Sequence, residues 1–171
     1  MFNTTIATQI YAKICFEATN SQKKIIENLS EYLSDDDFSR IFVLNGFAGT
    51  GKTTLIAAVV AALKELRIKP VLLAPTGRAA KVLARYCGEQ ALTIHKRIYR
   101  QRTNADYESK FSLDFNREQG AVFIVDEASM LSDSTGDGAL FGSGSLLEDL
   151  VSYVRSGRGC RLILVGDSAQ L

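Results

Sequence analysis

The chain has 171 residues, of which 46% are apolar and 23% charged. That is one domain's worth of material with ordinary globular composition, which excludes a disordered chain. Lys and Arg number 20 against 19 Asp and Glu, so the net charge of +1 gives no global sign of a nucleic-acid or membrane partner.

Residues 55–63 form the longest apolar run, far shorter than the roughly 20 residues of a membrane span. No basic stretch followed by an apolar block opens the chain, so neither a signal peptide nor membrane association is expected. Cys15, Cys87 and Cys160 are scattered and form no CxxC pair. They predict buried, reduced thiols without a metal role and a cytoplasmic location.

Residues 1–40 read as a helical lead-in to a core over 41–171, the two making a single domain. In the lead-in, a helix is expected over 20–33. Asn20 or Ser21 would cap it, and Ile25, Leu29 and Leu33 would share one face. Asp35 to Asp37 read as a solvated loop. Residues 41–44 are a continuous apolar run, as in a buried strand. A Gly-rich turn follows, then a helix over 52–66 with Leu55, Val59, Leu63 and Leu66 on one face. A second strand spans 71–74 and a helix spans 77–86. The polar residues 100–110 read as loop. Phe111, Leu113 and Phe115 alternate as in a half-exposed strand. Residues 121–125 form a third buried strand, and the Ser/Gly/Asp-rich 132–145 a mobile loop. A helix over 145–155 turns Leu146, Leu147, Leu150 and Val154 inward, and 161–165 form a fourth buried strand. Strands alternating with helices predict an α/β domain with a mainly parallel sheet, whose ligands sit at the carboxyl ends of the strands.

The distinctive residues fall at those ends. Gly46 to Thr53 satisfy G-x-x-x-x-G-K-[ST] at every fixed position, between a strand and a helix. Backbone amides freed by Gly46, Gly49 and Gly51 can curl around a β-phosphate, and the helix N-terminus adds partial positive charge. Lys52 reaches the β- and γ-phosphates, and the Thr53 hydroxyl suits Mg²⁺. Thr50 and Thr54 complete the phosphate-binding candidates. At the end of the third strand stand Asp126 and Glu127. Two adjacent acids there are costly without a partner, and a Mg–nucleotide supplies one. Asp126 would hold the metal and Glu127 would activate the attacking water, which implies hydrolysis more than transfer to a small molecule. Gln170, past the fourth strand, can both donate to and accept from a phosphate oxygen or lytic water.

In this order and spacing the motifs resemble the first motor domain of superfamily 1 DNA helicases, in the 5′→3′ branch that includes RecD-like proteins. Phe16, Thr19 and Gln22 resemble the Q motif, whose glutamine reads adenine. Gly46 to Thr53 is motif I. Residues 74–80, with Pro75, Thr76, Gly77 and Arg78, resemble motif Ia, which contacts single-stranded DNA. Thr93, Ile94 and His95 resemble the next DNA-proximal motif. Residues 124–130 match motif II, and 166–171 match motif III. The resemblance covers residues 16–171. It implies a RecA-like P-loop NTPase fold, ATP and Mg²⁺ as cofactors, and single-stranded DNA as substrate. It also implies a second motor domain beyond Leu171 carrying motifs IV to VI, other subunits of a repair complex, and a role in DNA repair or recombination. The 132–145 loop is longer than a compact member needs.

Charge distribution adds to this. Residues 78–102 hold seven basic residues and one acid, Glu89, so +6 sits here and −5 in the remainder. Local basicity is what phosphate neutralisation needs, and Tyr86 and Tyr99 lie within the segment as base-stacking candidates. Two other readings compete: a P-loop ATPase or kinase acting on something other than nucleic acid, and a nucleotide-binding regulatory module without turnover. By itself the chain is expected to bind Mg-ATP, hydrolyse it slowly and unwind nothing, because γ-phosphate transfer needs further cationic groups that the family's second domain supplies.

Overall fold

Thr19 caps a helix through a reciprocal pair of hydrogen bonds. Its side chain accepts from the Gln22 amide at 3.2 Å, while the Gln22 side-chain oxygen accepts from the Thr19 amide at 3.0 Å. This reciprocal capping box starts helix α2 (Asn20–Ser34), one residue before the expected caps. Ile26, Leu29, Tyr32 and Leu33 are buried and Ile25 is only half-buried, so the inward face is rotated from the one expected. The computed structural model describes residues 2–46, 49, 51–103, 109–131 and 141–167. Ahead of α2 stands α1 (Phe2–Lys13), whose Ile6 and Ile10 are buried and whose Lys13 pairs with Glu65 at 2.7 Å.

The core alternates as parallel βα units require. Strand β1 (Ile41–Gly46) leads to α3 (Lys52–Glu65), then β2 (Pro70–Ala74), α4 (Gly77–Cys87), β3 (Ala91–Thr93) and the short α5 (Ile94–Ile98). Strands β4 (Tyr99–Thr103) and β5 (Ser109–Leu113) form an antiparallel pair. The chain continues through β6 (Val122–Val125), a 3-10 turn (Ala128–Met130), α6 (Leu146–Ser156) and β7 (Arg161–Asp167). The main sheet is wholly parallel in the order β1-β7-β6-β2-β3.

Each face of the sheet has its own core. Val122 and Ile124 of β6, with Leu72, Ile163 and Val165, pack beneath α1, α2 and α3. Phe123 and Val125, with Val71, Leu73 and Leu162, pack against α5 and α6. The period-2 alternation of a strand buried on both sides explains why these runs are apolar throughout. Residues of α1 and α2 therefore share one hydrophobic cluster with α3 and the sheet. Among the described residues, no helix is long and apolar enough to cross a membrane.

Several expectations are corrected. β1 is not buried on both sides: it is an edge strand of the sheet among the described residues, and Val43 is 56% exposed. Residues 99–103 are strand, because β5 supplies an antiparallel partner that local polarity does not reveal. Phe115 lies beyond β5 and is exposed. Leu146 and Leu147 are half-buried, while Asp149 and Tyr153 are buried beside Leu150 and Val154. Of the three thiols only Cys160 is fully buried; Cys15 is exposed. The 132–145 segment lies outside the described residues up to 140. Its end is built in: Phe141 stacks on Phe111 at 4.6 Å between ring centroids, and Gly142 adopts φ +45° where any Cβ would overlap the Asp149 carboxylate.

Candidate nucleotide site and strand-end surface

The carboxyl edge of the sheet gathers most of the predicted residues. Gly49 and Gly51 take φ of +78° and +80°, a left-handed backbone that favours glycine and turns the chain into α3. Lys52 is the first residue of α3, and its ammonium donates to the Gly46 carbonyl. Thr53 and Thr54 follow on the first turn. Opposite them, β6 delivers Asp126 and Glu127. Lys52, Thr53, Thr54, Asp126, Glu127 and Ser129 line one cleft of about 470 Å³ with the end of β7. The Asp167 amide donates to Ser129 Oγ at 3.4 Å, tying the turn after β6 to the end of β7.

Gln22 reaches the same place from α2. Its Nε2 lies 3.2 Å from the position a Cβ would take on Gly51, so the glutamine amide rests against the phosphate turn. Thr50 and Gln170 lie outside the described residues, as do Phe47 and Ala48 of the same turn.

Electrostatics single out Asp126. Burial pushes its carboxyl above the ordinary value of 3.8, and the Glu127 amide and the Lys52 ammonium offset this only in part. Glu127 has φ +54° and ψ +36°, an uncommon backbone for a side-chain-bearing residue, and its amide donates to Asp126 Oδ1 at 3.0 Å. Strain of about 1–3 kcal/mol at such a position clusters at functional sites.

A stability test follows from the sign of the Asp126 shift. Above the raised value the carboxylate is ionised in the folded and the unfolded chain alike, and only the folded chain bears its desolvation. Below 3.8 both are protonated and the cost vanishes. Nucleotide-free protein therefore loses stability as pH rises through that window. Asp126→Asn is expected to melt at a higher temperature than the parent at neutral pH, with the gap closing on acidification. A variant melting lower at neutral pH would contradict the assignment.

Pro75, Thr76, Gly77 and Arg78 leave β2, while Thr93 and His95 leave β3. The two strands are adjacent and parallel, with Ala74 opposite Thr93, so both groups meet at one edge. Thr76 caps α4 by accepting from the Ala79 amide at 3.2 Å; Thr93 caps α5 by accepting from Lys96 at 3.2 Å. Each hydroxyl still has a proton to donate outward. Gly77 has open space where a Cβ would stand, and Arg78 is exposed. His95 is half-buried, 5.1 Å from Phe141 and 5.6 Å from Tyr99 between ring centroids.

The basic segment is not uniform. Arg97 pairs with Glu118 at 2.7 Å and Arg100 with Asp114 at 2.6 Å, which removes both as free phosphate contacts. Tyr99 is buried and donates to Asp149 at 2.7 Å, so it offers no open ring. Tyr86 is exposed, and it lines the nucleotide cleft beside Met130. The sequence placed Tyr86 with DNA, and Ser129 and Met130 only within motif II, with no individual role. No spacing signal marks Tyr86 for the cleft, because it reaches there from the neighbouring helix α4, while Ser129 and Met130 arrive on the 3-10 turn after β6.

A family model described as an AAA domain matches residues 17–171. The ATP-dependent RecD2 DNA helicase of Deinococcus radiodurans is 30% identical over 151 residues, covering 88% of this chain and 19% of that protein. The RecBCD enzyme subunit RecD of Mycobacterium tuberculosis is 35% identical over 155 residues, 77% of this chain and 24% of that protein. The ATP-dependent DNA helicase dda of phage T4 is 33% identical over 133 residues, 75% of this chain and 27% of that protein. The chain thus spans about a fifth to a quarter of the length of these curated relatives.

Proposed function

Because the chain belongs to the AAA-domain family and, within it, to the RecD-like helicases of superfamily 1, we propose that it is an ATP-hydrolysing motor domain that couples turnover to movement along single-stranded DNA. The supporting observation is one sheet edge that holds both a phosphate turn facing two acids and, beyond β6 at the ends of the adjacent strands β2 and β3, the two capping threonines Thr76 and Thr93 with the residues that follow them. A soluble cytoplasmic protein, a second motor domain of the same polypeptide and other subunits of a repair complex complete this reading.

ATP and Mg²⁺ fit the residues present. Thr53 and Asp126 offer hard oxygens, and the partly buried Asp126 carboxylate, whose desolvation the Glu127 amide and Lys52 offset only in part, suits a divalent cation. When bound, Mg²⁺ would neutralise charge developing on the phosphates. Gly46, Gly49, Thr50, Gly51, Lys52, Thr53 and Thr54 would cradle the phosphates. Gln22 would donate to the adenine through Nε2, since its oxygen is engaged at the Thr19 amide. Glu127 would accept the proton of the attacking water. Gln170 would sense the γ-phosphate and convey its state to the DNA side. Pro75, Thr76, Gly77, Arg78, Thr93 and His95 would contact single-stranded DNA, mostly through phosphate and sugar.

ATP turnover titrated with single-stranded oligonucleotide tests the reading. Turnover in the protein carrying both motor halves is expected to rise severalfold with DNA, and the 171-residue chain alone should turn over slowly and separate no strands. A rate indifferent to DNA would favour an ATPase or kinase acting on another substrate.

A further inference from the structure

Five of the seven cations of residues 78–102 separate into two kinds. Arg97 and Arg100 are held by acids. Arg78, Lys81 and Arg85 are exposed on α4, and none of them makes an ion pair among the described residues. Glu89, the one acid of residues 78–102, pairs with Lys64. Spacing of three and four residues puts the three cations on one helix face, over a rise of about 10 Å. Ala79, Ala80 and Leu83 are buried on the opposite side and fix the helix to the sheet. Val82 and Tyr86 are 47% and 62% exposed and border the cations. The stripe starts at Thr76, at the edge where Thr93 also emerges, and runs away from it.

We propose that the outer face of α4 extends the single-stranded DNA track, with Lys81 and Arg85 neutralising backbone phosphates beyond the strand-end contacts. This rests on the motor reading and carries the track onto residues outside its motifs. A row of cations without ion pairs among the described residues, continuous with the strand-end contacts at Thr76 and Thr93, fits a phosphate backbone running on from that edge, without base-edge readout. An acidic protein surface would use the cations too, but has no need of their starting at the strand-end edge where Thr76 and Thr93 meet.

The test is fluorescence anisotropy of a long labelled thymidine oligonucleotide across a salt series, using the full chain with Lys81→Gln and Arg85→Gln combined. Loss of two phosphate contacts is expected to flatten the log–log salt slope by about 1.4 and to weaken binding roughly ten- to thirtyfold at about 0.1 M salt. Nucleotide affinity should be unchanged, and the charge-preserving pair Lys81→Arg and Arg85→Lys should bind like the parent. An unaltered slope with DNA binding intact overturns the inference and leaves the stripe to an acidic protein partner. Failure of the parent chain itself to bind the oligonucleotide overturns the motor reading, and the track with it.

Discussion

Replacing Lys52 by alanine is expected to weaken Mg-ATP binding on the order of 10²–10³-fold, the equivalent of removing one partner from a buried charge pair. Lys52 already has its ammonium turned back toward the phosphate turn, where it donates to the Gly46 carbonyl. A nucleotide would exchange that carbonyl for charged oxygens, a stronger class of hydrogen bond. Alanine removes the donor and leaves the left-handed turn at Gly49 and Gly51 unchanged, so amide contacts to the phosphates survive in part. Because Lys52 opens α3, the variant's melting curve should be recorded beside the titration. A folded variant binding within threefold of the parent would show that the amides and the helix terminus suffice.

The second large effect concerns rate. Glu127→Gln is expected to lower turnover about 10²–10⁴-fold while nucleotide affinity stays near that of the parent. The exchange keeps the shape and removes the basic oxygen. It also keeps the left-handed backbone at φ +54°, which a glutamine tolerates no worse than a glutamate, so the loss reports proton transfer. Single-turnover hydrolysis against an equilibrium titration separates the two quantities. Normal turnover in the protein with both motor halves would move the base elsewhere in the cleft. The two substitutions thus divide the site: one should fail to load, the other should load and stall.

Legibility in the sequence followed how local each signal is. The turn from Gly46 to Thr53 is contiguous, and its glycines, lysine and threonine carry their chemistry in fixed order. The buried strands expected at 121–125 and 161–165 were equally plain, because a strand covered on both faces is apolar nearly throughout. What escaped depends on partners far along the chain. β4 exists through pairing with β5, although its own residues are polar. Arg97 looks like a DNA contact until Glu118, distant in sequence, claims it. Val43 sits in an apolar run, yet its exposure is set by the order of strands in the sheet. Tyr86 reaches the cleft because α4 packs beside α3, a tertiary fact.

The capping box at Thr19 and Gln22 places two duties on one side chain. Gln22 closes the first turn of α2 through its oxygen, while its nitrogen lies against Gly51. Any base that engages this amide would hold it in the capping geometry, so ligand occupancy and helix fraying become one equilibrium. Amide hydrogen exchange in the first turn of α2 should then slow when the cleft is filled. Substitutions at Gln22 will mix base selectivity with helix order, and the two separate only when melting and nucleotide competition are measured on the same variant.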